Sequence, residues 1–94
     1  MNEEKHIIKR LVSAFENMNK ETLGTTLVVD SIKKSLTNFG WRYKSDIPNV
    51  KGIKINCLLE NGLIEEKEVK KGEERNSTYY IDGYNEVVMW NNKT

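Results

Sequence analysis

The sequence holds a single cysteine, a single histidine and a single proline, and it has no extended apolar run. Cys57 standing alone excludes an intrachain disulfide and a thiolate metal cluster. It reads as a small buried hydrophobe, with an intermolecular contact or a reactive thiol as the lesser alternatives. His6 has no second histidine to pair with and reads as a surface residue. There is no nucleophile–histidine pairing, no Gly-rich phosphate loop and no histidine–carboxylate cluster. No enzymatic activity, metal or cofactor is therefore expected, and no small-molecule ligand is evident. The missing apolar run excludes a membrane-spanning helix. The start, MNEEKHIIKR, lacks the apolar segment of a secretory signal, so a cytoplasmic protein is expected.

What is present suits one small domain, 1–94. A chain of this length buries only roughly 60–65% of the surface its unfolded state exposes. A homodimer that adds burial is expected on that ground. The formal net charge is only +1, which is little for a nucleic-acid partner. Its distribution is uneven. Between residues 31 and 59, Lys33, Lys34, Arg42, Lys44, Lys51 and Lys54 face Asp46 alone. From 60 to 76, Glu60, Glu65, Glu66, Glu68, Glu73 and Glu74 outnumber Lys67, Lys70, Lys71 and Arg75. A basic island in a neutral chain is the asymmetry expected where one face meets an anion.

Along the chain, Ile7, Ile8, Leu11, Val12, Phe15 and Met18 predict an amphipathic helix over 3–19. Gly24 and the paired threonines break it. Residues 25–29 (TTLVV) read as a brief strand. Asp30 or Thr26 then caps a helix carrying Val29, Ile32, Leu36 and Phe39, and Gly40 closes it as a C′ residue. In GWRYKSDIP, Trp41 and Tyr43 alternate with Arg42 and Lys44. Basic residues interleaved with aromatics suit nucleic acid, and packing of the aromatics under the connection is the alternative.

Residues 47–61 read as a third helix, capped by Ser45 or Asp46 with Pro48 in its first turn. On that helix Ile55, Leu58 and Leu59 lie on one side, and Val50, Ile53 and Cys57 on another. Either Gly52 marks an irregularity, or one set meets a partner chain. Beyond Leu63 the period becomes two. A charged strand, a polar turn at KKGEERNS and a return strand at 78–81 form a hairpin ending at Asp82-Gly83. Residues 84–94 form a tail whose Val87, Val88, Met89 and Trp90 dock on the body or on a second subunit.

This order over about 3–83 resembles a winged helix-turn-helix DNA-binding domain. The residues LLENGLIEE at 58–66 are similar to the end of a recognition helix and the start of a wing. The resemblance implies an α+β fold of three helices with a short strand and a C-terminal two-stranded β-hairpin wing. It also implies double-stranded DNA as the partner, for a small transcriptional regulator or a plasmid or phage accessory protein. The third helix would enter the major groove with Asn49, Lys51, Lys54 or Asn56. Arg42 and Lys44 would clamp phosphates, and Lys70, Lys71, Arg75 and Asn76 at the wing tip would touch the adjacent backbone or minor groove. The alternative is a winged-helix assembly module without nucleic acid.

Overall fold

A computed structural model describes residues 3–17, 23–72 and 78–92, without the side chains of 23–26. Met18, Arg75 and Asn76, each given a role above, lie outside the described residues. The first helix, α1 (Glu3–Glu16), forms on the expected stripe. Leu11 and Ala14 are buried, and Ile7, Ile8 and Phe15 pack around them. Glu3 and Glu4 sit in the first turn, where the helix dipole favours acids.

The second helix, α2 (Leu23–Thr37), begins earlier than expected and absorbs residues 25–29, so the brief strand there does not exist. Among its described side chains Val29, Ile32 and Leu36 are buried, spaced three and four apart. A few β-branched residues cost only some tenths of a kcal/mol each in a helix, and burying such a stripe outweighs that. Asp30 and Thr26, the expected caps, are inside the helix. Its end follows the sequence closely. Gly40 takes a positive φ of 94°, its N–H donates to Thr37 O, and the Trp41 N–H donates to Leu36 O. This is the Schellman pattern, completed by contact between Leu36 and Trp41 in one cluster.

Strand β1 (Arg42–Tyr43) follows, then a single 3-10 turn (Lys44–Asp46). The expected third helix over 47–61 is absent. Residues 47–53 are irregular and lead into strand β2 (Lys54–Leu59). A period of two resolves the two apolar sides that a helix could not reconcile. Ile55, Cys57 and Leu59 point to one face of the sheet and Leu58 to the other. Asn61 and Gly62 then turn the chain, with the Leu63 N–H donating to Asn61 Oδ1 and the Gly62 N–H to Leu59 O.

The next strand, β3 (Ile64–Glu68), runs back antiparallel along β2 instead of opening a wing. Past Val69 the chain leaves the main sheet. Only β4 (Lys70–Lys71) and β5 (Tyr79–Tyr80) pair as the expected hairpin, as a separate two-stranded ribbon. After a 3-10 turn (Tyr84–Glu86) comes β6 (Val87–Asn91), an interior strand of the four-stranded antiparallel sheet ordered β1-β6-β2-β3. The fold is thus α+β but not a winged helix-turn-helix: among the described residues two α-helices replace three, and the third has become the centre of a sheet.

Both faces of that sheet are covered. The helices bury Leu58, Val88 and Met89 together with Trp41 on one side. On the other, Ile55, Cys57, Leu59, Val87 and Trp90 pack against Val69 and Ile81, which flank the β4–β5 ribbon. The register slips between Leu58 and Leu59, so that Met89 and Val87 are their partners and Val88 is extra. This bulge lets two successive residues, Val88 and Met89, face the helices. Among the described residues no helix is long and apolar enough to cross a membrane.

Candidate nucleic-acid interface

On the face away from the helices, three separate segments meet at an open groove of about 390 Å³. The 3-10 turn after β1 contributes Lys44 and Ser45, and the following irregular stretch contributes Ile47 and Asn49. Strand β5 and its exit contribute Tyr79, Tyr80 and Ile81, and the turn before β6 contributes Tyr84. Ile47, Ile81 and Tyr79 are also part of the apolar cluster beneath, so the groove floor is the outer surface of the core. Tyr80 and Tyr84 are 42% and 38% exposed, high values for rings held in a folded structure. They present large apolar faces to solvent with hydroxyls at the edges.

Cations are placed on these rings. Lys44 Nζ lies 4.6 Å from the Tyr84 ring centroid and donates to the Tyr84 carbonyl oxygen at 3.3 Å. Lys71 Nζ lies 5.5 Å from the Tyr79 centroid, a position set by the β4–β5 register that pairs the two residues. Arg42 is paired across the sheet with Trp90 and holds its guanidinium 5.8 Å from that ring. Such contacts contribute about 0.5–1 kcal/mol at exposed sites, and they hold the charged groups beside the ring faces.

The residues expected to bind nucleic acid therefore divide. Lys44 and Asn49 line the groove, and Lys71 reaches it through Tyr79. Arg42 borders a neighbouring hollow with Thr37, Trp41, Tyr43 and Asp46. Lys51 is exposed on the stretch leading to β2. Lys54 and Asn56 cannot project from a helix into a DNA groove. They sit on β2 opposite Glu68 and Glu66, and Asn56 Nδ2 donates to Asn91 Oδ1 at 3.1 Å. Lys70 is bonded to Asp82 at 2.6 Å. The Asp82 carboxylate lifts the Lys70 pKa, and Lys70 lowers that of Asp82, in each case first through the hydrogen bond and then through charge. Trp41 is buried, and its indole Nε1 donates to Glu4 Oε2, so it is no stacking surface.

Tyr79, Tyr80 and Tyr84 were not singled out from the sequence. Their signal was three tyrosines within six residues, but their basic partners lie up to 40 residues upstream. Among the described residues, no group of three or more His, Cys, Asp or Glu side chains is placed to hold a metal ion. No protein-family model matches the chain, and no curated protein or solved structure matches it.

Proposed function

We propose that the protein binds single-stranded nucleic acid along the tyrosine-lined groove. The observation that carries this reading is the convergence of Tyr79, Tyr80 and Tyr84 with Lys44 and Asn49 on one open surface. Base faces stack on tyrosine rings whatever the base, and each such stack contributes about 1–3 kcal/mol. Lys44 and Lys71, held at the rings, neutralise phosphates next to the stacked bases. Asn49 and Ser45 offer hydrogen bonds to base edges.

A single strand suits this surface better than a duplex. In a duplex the base faces are covered by their neighbours, and a reader needs an element that fits the major groove. The helix expected to do that is β2, packed between two layers. Charge points the same way. With a net charge of +1, affinity rests more on stacking than on phosphate contacts.

Fluorescence anisotropy of a labelled oligothymidylate of roughly 12 nucleotides tests the reading. Saturable binding at low salt is expected, with a hairpin duplex competing poorly. Two or three phosphate contacts predict a log–log salt slope of only about −1.5 to −2. Replacing both exposed rings (Tyr80→Ala with Tyr84→Ala) should weaken binding by at least about tenfold, with little change in Tm. Unchanged affinity in that variant, or equal affinity for the duplex, contradicts the reading.

A further inference from the structure

Strand β3 is the last strand of the main sheet, and among the described residues no strand pairs with its outer side. Its ladder to β2 fixes what that side offers. The Leu59 N–H donates to Leu63 O and the Val69 N–H to Ile53 O, so the odd-numbered residues bond inward. Ile64, Glu66 and Glu68 accordingly turn their backbone N–H and C=O groups outward. These groups form a template for one more strand. Beside its start, Leu63 and Ile64 are 58% and 52% exposed. A groove of about 450 Å³ lies at the turn that precedes them, lined by Lys5, Ile8, Lys9, Val12, Asn61 and Gly62 among others.

We propose that this edge docks an extended segment of a protein partner in which basic residues alternate with others and one end is apolar. The charge of the edge selects such a partner. Glu65, Glu66 and Glu68 are exposed along β3, and Glu60 is exposed at the turn. The one cation of the strand, Lys67, is withdrawn: its side chain is 17% exposed and lies 3.5 Å from Glu65. On the side of the sheet that bears the helices, the partner meets Ile64, Glu66 and Glu68 in turn. An apolar residue therefore fits opposite the first and Lys or Arg opposite the other two. A second copy of this chain is a poorer occupant, because antiparallel self-pairing about Glu66 sets that carboxylate against its own copy. This surface is independent of the tyrosine groove, which lies on the other side of the sheet.

The probe is a capped peptide, Lys-Val-Lys-Val-Leu, whose two lysines and leucine share one face as the pairing requires, titrated into the labelled protein and followed by amide NMR. Saturable shifts centred on Ile64, Glu66 and Glu68 are expected, with no binding of the peptide in which Glu replaces Lys. Glu66→Pro should abolish binding while the fold persists, because the Glu66 N–H is not part of the β2 ladder. Glu66→Lys with Glu68→Lys provides a second variant that leaves the backbone intact. It should weaken binding about tenfold, two cross-strand charge pairs having been reversed. Absence of binding, shifts confined to other surfaces, or binding that survives both variants overturns the proposal. Equal affinity for the acidic peptide does so too. A concentration-dependent dimer that Glu66→Pro abolishes overturns it in favour of self-pairing.

Discussion

The Trp41 indole Nε1 donates a hydrogen bond to Glu4 Oε2 at 2.6 Å, joining the residue after the α2 cap to the first turn of α1. Trp41 is buried in the helix-side core, so this bond fixes one end of the helix pair against the sheet. A hydrogen bond to a charged group contributes about 1.5–3 kcal/mol. Trp41→Phe should therefore lower stability by about 2 kcal/mol. Glu4→Gln, which keeps an acceptor, should cost less. Urea unfolding of the two variants checks this order, and a loss in Glu4→Gln as large as that in Trp41→Phe would contradict it.

Cys57 should behave as an inert core residue whose only titration signature appears in alkali. Burial pushes its pKa from 9.0 up to about 11, with Lys67 drawing it down and Glu65 adding to the rise. Below pH 9 the thiol is protonated in both folded and unfolded chains. Between about 9 and 11 the unfolded chain releases a proton that the folded one retains, so stability falls as pH rises through that window. Cys57→Ala should lower stability at neutral pH by leaving a small cavity, yet flatten this alkaline fall. Thiol reagents should label the wild-type protein only as fast as it opens, and immediate labelling at neutral pH would contradict the buried position.

Lys70 and Asp82 form an exposed pair, which predicts a spectroscopic effect and little change in stability. Asp82 titrates below the usual carboxylate range because Lys70 bonds to it. In Lys70→Met its NMR-detected midpoint should return upward while Tm barely moves. An unchanged midpoint would show that the bond is not kept in solution.

Gly52 and Gly62 share a φ of 91° and differ in their surroundings. A Cβ at Gly52 meets nothing within 4 Å, whereas one at Gly62 lies 2.9 Å from Val12 Cγ2 on α1. Alanine at position 52 should cost about 1–2 kcal/mol from backbone strain, and alanine at position 62 should cost more. Adding Val12→Ala should recover only the excess at position 62, which a double-mutant cycle isolates. No coupling between those two positions would mean that the turn is not packed on α1 as described.

These relationships differ in how plainly the sequence announces them. Helix α1 and the Gly40 cap are local: a stripe at 3.6-residue spacing and a glycine one turn past its end. Residues 25–29 misled because a threonine–valine run favours strand by propensity, while Val29, Ile32 and Leu36 impose a helix through packing. Residues 47–61 misled for a deeper reason. Strand β2 is covered on both faces, so Ile55, Cys57, Leu58 and Leu59 crowd together instead of alternating with polar residues. A helix with two unrelated apolar sides was itself the warning. The same double burial explains the run Val87–Asn91, every residue of which is buried.

The candidate groove was half legible. Lys44 was marked by its place among aromatics, and Asn49 only by a helix that does not form. The tyrosines facing them arrive through the β4–β5 ribbon, a pairing that local patterns do not specify.

The central claim is that bases stack on this groove, and the ring resonances of its tyrosines report that contact directly. Titration with an unlabelled oligothymidylate, followed by aromatic NMR, should move the Tyr80 and Tyr84 ring signals upfield in a saturable way, through ring currents of the stacked bases. Signals from Lys54 and Glu68, which face the helix side of the sheet, should stay in place. Unmoved Tyr80 and Tyr84 rings at saturating oligonucleotide, or shifts confined to the helix side, would contradict the account.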